Sequence, residues 1–217
     1  MTAHSHAHGH GSPPRTDSTR LVPRSSDADD LNSLGHRYLE GVGVRRDRVL
    51  ARRLFEQAAA RADPLGIYNL SVCFAFGEGV RRDTRLAVAL EREAARRCSR
   101  DAMTALGYRF LNGIGLRQSE TEALRWYRRA ARLGDASAYF SLGQYFYDRH
   151  EFTKARSPLE KGVLAGHTKC LFYLGRMMIF GLGVPLKRRA GWLLVKTAAE
   201  RGHLPAQRFV KRNRPHA

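Results

Sequence analysis

Cysteine and long hydrophobic runs are scarce in this 217-residue sequence. The three cysteines, Cys73, Cys98 and Cys170, have no Cys-x-x-Cys spacing, so we expect reduced thiols, with one disulfide as the alternative. The longest apolar stretch, residues 177–186, has about half of the ~20 residues that a membrane-spanning helix needs. The N-terminus has no apolar segment typical of an export signal. These absences predict a cytoplasmic protein without a transmembrane helix.

Motifs of enzyme active sites are also absent. The sequence has no His-Glu-x-x-His, Ser-x-x-Lys or Gly-x-Ser-x-Gly, and no carboxylate pair set among apolar residues. We therefore predict a protein that is not an enzyme and has no catalytic residues, metal site, cofactor or small-molecule substrate. Alternating histidines near the N-terminus could chelate a divalent transition metal, and a flexible tail or an expression tag is the alternative: His4, His6, His8 and His10.

Positive charge is abundant and unevenly distributed. The chain has 38 basic and 20 acidic residues, a net charge of +18, and only 6 of the basic residues are lysines. Residues 167–217 contain 11 basic residues and a single acidic one, Glu200. Such a surface would attract acidic protein segments or phosphate-bearing polymers. Base composition of the genome is an alternative origin for the arginine excess.

Sequence features recur with a period of 36 residues. Leu-Gly or Leu-Ser begins at positions 34, 70, 106, 142 and 174, the last step being 32 residues. Glycine pairs keep the same register: Gly41/Gly43, Gly77/Gly79, Gly113/Gly115 and Gly181/Gly183. Self-similarity at such a period is typical of repeat architectures. A phosphate-binding loop is the alternative, but Gly-Lys-Ser/Thr and a preceding strand are missing.

Each repeat predicts two helices joined by a glycine turn. Leucine and an aromatic or long apolar residue four positions later share one face of the first helix, as Leu106 and Phe110 do. The Gly-x-Gly then ends that helix, because glycine adopts the left-handed conformation without steric cost. Asp47, Asp83 and Ser119 follow at the position of an N-cap. In the repeat at 135–166 the Gly-x-Gly is missing, which predicts a tighter turn.

The third repeat identifies a family resemblance through these residues: Leu106-Gly107, Phe110, Gly113-Ile114-Gly115, Ala123, Trp126-Tyr127, Ala130-Ala131 and Gly134-Asp135. The pattern resembles the Sel1-like repeat family, relatives of the tetratricopeptide repeats. The resemblance implies an all-α protein, a right-handed α/α solenoid of five helix-turn-helix repeats. It also implies a non-catalytic adaptor or scaffold that binds a protein in its concave groove.

We predict three segments along the chain. Residues 1–30 form a disordered tail rich in His, Pro and Ser, residues 31–210 form the solenoid, and residues 211–217 form a basic tail. The repeats fall at about residues 31–62, 63–98, 99–134, 135–166 and 167–202, followed by a capping half-repeat.

Resemblance to tetratricopeptide repeats also implies groove positions on each first helix, three residues before and one and four after the repeat glycine. The predicted partner-binding groove is Asn32, His36, Tyr68, Tyr108, Phe140, Gln144, Tyr147, Phe172 and Arg176. Aromatic, amide and arginine side chains suit an acidic protein segment, because rigid rings give contact area and Arg binds carboxylates. Alternatively, Phe140 and Phe172 complete the packing between repeats.

A basic face is predicted from Arg125, Arg128, Arg129, Arg132, Lys187, Arg188 and Arg189, of which the first four share one side of a helix. Such a face predicts nucleic-acid association as the alternative function, and a solvated helix surface is the simpler explanation. We therefore predict an adaptor for protein partners, with nucleic acid as a secondary partner and no membrane contact.

Overall fold

The computed structural model describes residues 27–213, which contain eleven α-helices and no strand. The helices are α1 (Ala28–Glu40), α2 (Arg48–Ala60), α3 (Pro64–Phe76), α4 (Thr84–Arg96), α5 (Arg100–Asn112), α6 (Glu120–Arg132), α7 (Ala136–Asp148), α8 (Phe152–Leu164), α9 (Thr168–Phe180), α10 (Arg188–Glu200) and α11 (Leu204–Arg212). The predicted all-α solenoid of five repeats is confirmed as five helix pairs followed by α11. The N-terminal histidines and residues 214–217 lie outside the described residues.

Consecutive helices pack in pairs, and each pair packs against the next. The first helices of neighbouring pairs also contact one another, from α1 with α3 through to α7 with α9. The second helices of neighbouring pairs do not make comparable contacts within residues 27–213. The stack therefore curves toward its first helices, which line the concave face, while α2, α4, α6, α8 and α10 lie on the convex side.

Polar caps start the helices where the repeat pattern predicted them. The Asp47 and Asp83 carboxylates each accept a hydrogen bond from the backbone N–H three residues later, at 2.9 Å, and the Ser119 hydroxyl accepts one at 3.3 Å. These bonds satisfy N–H groups that have no partner within the first turn of a helix. The prediction that Gly-x-Gly is a hinge between helices is confirmed in four of the five pairs.

Two glycines illustrate why the pattern requires this residue. Gly79 has φ +70°, and a Cβ there would lie 2.3 Å from the Arg48 carbonyl oxygen of the preceding pair. A Cβ at Gly107, within α5, would lie 2.5 Å from the Tyr127 ring of α6. Glycine thus lets the turn contact the preceding repeat and lets the two helices of a repeat approach closely.

The fourth pair departs from the others. Residues 149–151 join α7 to α8, whereas residues 113–119 join α5 to α6, which confirms the predicted tighter turn. Glu151 precedes α8 without a side-chain capping bond, and Pro158 lies inside this helix. Because proline has no N–H, it removes one hydrogen bond from the helix interior.

Candidate protein-binding surface

Of the two predicted groove residues in the first repeat, one is buried and the other is exposed. Asn32 is buried, and its amide donates to Asp63 Oδ2 at 2.7 Å and accepts from Asn69 at 3.0 Å. The prediction that Asn32 lies on the groove surface is therefore wrong. Its amide is buried and connects α1 to the start of α3. His36 is exposed and lies edge-on to Phe55, with ring centroids 5.2 Å apart.

Between α3 and α5, the structure brings Tyr68 and Tyr108 together at a pocket of about 310 Å³. Its walls are mainly apolar and include Val72 and Ile114. Two aromatic side chains line this pocket while remaining largely exposed, Phe76 at 75% and Tyr108 at 56%. Exposed aromatic rings beside a cavity are typical anchors of protein interfaces, because they bury a large area at low entropic cost.

A buried ion pair lies at the same pocket. Arg109 of α5 donates from Nε to Glu91 of α4 at 2.6 Å, and both residues line the pocket. Burial raises the pKa of the Glu91 carboxyl, and the hydrogen bond from Arg109 opposes that shift. Burial also raises the pKa of the Tyr68 phenol to about 12, so this group stays neutral at physiological pH. The pocket thus presents apolar walls and a neutralised ion pair.

The C-terminal half of the concave face contains a second cluster, centred on Arg176 of α9. The Arg176 guanidinium lies 5.6 Å from the ring centroids of Tyr147 and Phe172 and 6.0 Å from that of Phe209. Its Nε is buried and has no hydrogen-bond partner among the described residues. Aromatic faces stabilise a cation, but they do not neutralise its charge. This cluster is therefore an arginine held by three rings without a carboxylate.

Further rings extend the cluster toward α7. Gln144 donates to the Tyr173 hydroxyl at 3.4 Å, and the Tyr173 ring contacts both Tyr147 and Phe140 edge-on. Phe140 also stacks on His167, whose pKa is lowered by burial. Phe172 itself is buried, so its ring packs between α9 and α11 instead of forming the open groove surface. The packing alternative is thus the one observed for Phe172.

The predicted basic face lies on second helices, and some of its side chains already contact other residues. Arg125 approaches Glu122 at 3.5 Å, and the Arg129 guanidinium lies 5.4 Å from the Trp126 ring. Arg128 and Arg132 are exposed on the same helix. The remaining members, Lys187, Arg188 and Arg189, are exposed at the start of α10, two repeats away. The seven residues therefore form two separate groups on the convex side.

Several residues of these clusters were missed from the sequence. Phe76, Glu91, Arg109, Tyr173 and Phe209 are not at the groove positions transferred from the tetratricopeptide repeats. Phe76 could have been found, because it is a large apolar residue immediately before a helix-ending glycine. The other four depend on contacts between helices that no local pattern specifies.

A family model described as Sel1 repeat matches residues 28–63, 64–97, 100–135 and 168–203. The chain belongs to the Sel1 repeat family. The matched segments contain the first, second, third and fifth helix pairs, and the divergent fourth pair lies outside them. Proteins built from Sel1 repeats generally act through protein–protein interaction.

Solved Sel1 repeat structures share this architecture. A Sel1 repeat protein from Oxalobacter formigenes is similar with a TM-score of 0.79 and 27% identity, covering 88% of this chain and 80% of that one. The protective antigen c5321 of uropathogenic Escherichia coli, which displays an SLR fold, gives 0.69 and 28%, covering 83% of this chain and 39% of its own. A putative Sel1 repeat protein from Klebsiella pneumoniae gives 0.57 at 14% identity, covering 86% and 92% respectively, and shows the fold alone. A search of curated proteins gave no match.

Neither a membrane span nor a metal cluster is found in the described Sel1 repeats. Within residues 27–213, no helix combines the length and the apolar character needed to cross a membrane. In the same range, no three His, Cys, Asp or Glu side chains are grouped to hold a metal ion.

Proposed function

We propose that this Sel1 repeat protein is a non-catalytic adaptor that binds an acidic segment of a protein partner along its concave face. The family acts generally through protein interaction, and the first helices present two clusters of suitable side chains. The α3–α5 pocket would hold a large apolar side chain between Tyr108 and Phe76. Arg176 would bind a carboxylate of the same segment.

The observation that carries this proposal is the environment of Arg176. Three rings fix the guanidinium on the concave side, and none of the ion pairs among residues 27–213 includes it. A partly buried, unpaired cation gains most from a charged ligand, because charge-assisted hydrogen bonds are roughly twice as strong as neutral ones. Arg also binds carboxylates with two parallel hydrogen bonds. An Asp or Glu side chain is therefore the chemistry that the cluster fits.

Nucleic-acid association remains the second candidate, supported by the basic residues on the convex side. It is less favoured as the main function because the concave face is aromatic and polar, and because Glu91 neutralises Arg109 there. A polynucleotide would need a continuous row of phosphate contacts. The basic residues instead form two groups, one on α6 and one at the start of α10.

The test compares the full chain with a variant that carries Tyr108→Ala and Arg176→Ala. Each protein is used to capture partners from a lysate treated with nuclease at moderate salt, and captured proteins are identified by mass spectrometry. We expect a discrete acidic protein with the wild type and its loss with the double variant, at unchanged helicity by circular dichroism.

Arg92→Ala is the matched control, because Arg92 is exposed on the second helix α4. It should capture the same protein as the wild type. Equal capture by the folded double variant would remove Tyr108 and Arg176 from the site. Recovery of nucleic acid alone in untreated lysate, lost when the salt concentration is raised, would contradict the adaptor function.

A further inference from the structure

A cleft of about 380 Å³ opens on the convex side between α6 and α8, and we call it the α6–α8 cleft. Its floor comes from α7 and from the facing sides of the two second helices, and its lining is Arg128, Ala131, Arg132, Tyr139, Leu142, Ser157, Pro158 and Lys161. This set includes three cations and no carboxylate. It is separate from the concave face that the proposed function uses.

A small residue of the divergent fourth pair, Pro158, lines the cleft. Pro158 is the seventh residue of α8, and the seventh residues of the other second helices are all larger: Leu54, Leu90, Trp126 and Leu194. Trp126 packs against a core cluster that extends from α3 to α7. A proline ring cannot fill the same space, and in a helix interior it also removes one backbone hydrogen bond. The fourth pair thus has less side-chain volume at this position than the other four pairs, and Pro158 lines the cleft.

The three cationic side chains in the cleft have no polar partner among the described residues. Within residues 27–213, Arg128, Arg132 and Lys161 take part in none of the observed ion pairs or side-chain hydrogen bonds. The nearest acidic residues along the same helices already have partners: Glu122 approaches Arg125, and Glu160 pairs with Arg156 at 2.8 Å. The positive charges of Arg128, Arg132 and Lys161 are therefore not balanced by a paired carboxylate within the described residues.

We propose that the α6–α8 cleft binds a single phosphate monoester on the side chain of a protein. Phosphorylation places close to two negative charges and three acceptor oxygens on one side chain, which matches the three cations that line this cleft. Tyr139 and Ser157 add hydroxyl groups to the lining, and Leu142 and Pro158 offer apolar surface to the carbon stem of the ligand. A localised cleft fits one phosphate group better than the extended backbone of a nucleic acid.

The first experiment measures binding of short peptides by isothermal titration calorimetry. Each peptide is otherwise uncharged and carries either one phosphoserine, one phosphotyrosine or the unmodified residue; inorganic phosphate and a single-stranded oligonucleotide are the further probes. We expect at least one phosphorylated peptide to bind more tightly than its unmodified form. Arg128→Gln and Lys161→Gln should each weaken that binding about tenfold, the size of one lost charged hydrogen bond.

Arg125→Gln is the matched control on α6, because it removes one positive charge next to the cleft without altering the lining. It should leave phosphopeptide binding within about twofold of the wild type, since exposed charges outside direct contact contribute little. An equal loss with Arg125→Gln would mean that only the general charge of the surface is felt, which overturns the proposal.

The second experiment closes the cleft without changing any charge. Pro158→Leu introduces the residue that three other second helices carry at this position, and it restores the missing backbone donor. We expect a raised melting temperature together with loss of phosphopeptide binding, so a folding defect cannot explain the loss. Unchanged binding by Pro158→Leu would overturn the proposal.

Two outcomes of the first experiment would also contradict the proposal. Binding of the oligonucleotide alone would assign the basic surface to nucleic acid, and equal binding of modified and unmodified peptides would exclude a phosphate site.

Discussion

Glu91 and Arg109 bury two opposite charges at the α3–α5 pocket. Removing two ions from water costs several kcal/mol each, and only good hydrogen-bond geometry compensates for that cost. The 2.6 Å bond from Arg109 Nε meets this requirement. Because Glu91 comes from a second helix and Arg109 from the next first helix, the pair also fixes how the second and third repeats meet.

We predict that the effects of substituting Glu91 and Arg109 on the free energy of unfolding are strongly non-additive. Arg109→Met leaves the Glu91 carboxylate buried without a partner, so we expect a loss of about 3–5 kcal/mol in the free energy of unfolding. Glu91→Leu should lose a similar amount. The double variant should be much closer to the wild type, because no unpaired charge remains. Urea unfolding of the four proteins measures the cycle, and additive losses would show that the two side chains do not interact.

At this scale, the structure shows which of the predicted groove residues lie together, and their role in binding stays a prediction. Tyr68 and Tyr108 line one pocket, and Arg176 lies beside Tyr147. The register of the first helices misplaced Asn32, because Asp63 both caps α3 and accepts a hydrogen bond from the Asn32 amide 31 residues earlier. Such a bond depends on how two repeats stack, which a single periodic pattern does not specify.

Helix ends are the elements that the sequence predicted most directly. A polar residue that accepts a hydrogen bond from the first turn, and a glycine in the left-handed region, depend on only a few neighbouring residues. Asp83 and Gly77 accordingly occupy the predicted roles around the second turn. The role of Gly79 is different, because its close contact is with the Arg48 carbonyl of another repeat.

Alanine substitutions at two glycines separate the cost of a positive φ from the cost of a close contact between repeats. Gly79 and Gly134 both have positive φ, at +70° and +79°, but no atom lies within 4 Å of a Cβ built at Gly134. Gly134→Ala should therefore cost about 1–2 kcal/mol, the backbone strain alone. Gly79→Ala should cost clearly more, because its Cβ also meets the Arg48 carbonyl. Chemical denaturation of both variants tests this, and equal losses would show that contact between repeats adds nothing at Gly79.

The fourth helix pair marks the limit of prediction at the scale of elements. Its missing glycines correctly predicted a short turn between α7 and α8. The α6–α8 cleft could not be predicted from the pattern. To anticipate it, one would have to compare the side-chain volume of Pro158 with those of the equivalent residues in the neighbouring repeats. The same divergence explains why the family model matches the pairs on either side of this one and not α7–α8 itself.

Curvature divides the whole molecule into surfaces of different chemistry. First helices contact one another and present aromatic clusters on the concave side, while many arginines lie on the second helices. The period of the sequence predicted the stack, since each repeat buries its apolar face only against its neighbours. The distribution of charge between the faces required the structure, because it depends on which side of each helix meets the next repeat.

The net charge of +18 leads to a prediction for the stability of the whole molecule. Apart from Glu91–Arg109, the ion pairs among residues 27–213 are largely solvent-exposed, and such pairs contribute about 0–1 kcal/mol each. Repulsion among the excess arginines should therefore outweigh them at low ionic strength. Raising NaCl from ~0.01 M to ~0.15 M shortens the screening length from about 30 Å to about 8 Å.

We thus expect the melting temperature to rise over this range of NaCl, by about 2–4 °C for each kcal/mol of repulsion removed. Differential scanning calorimetry at constant pH measures the shift, in a buffer without phosphate so that binding to the α6–α8 cleft does not contribute. Replacing NaCl by KCl should give the same shift, because screening depends on ionic strength. A melting temperature that falls with added salt would instead show that the exposed ion pairs outweigh the repulsion, and that the arginines on the convex side stabilise the solenoid.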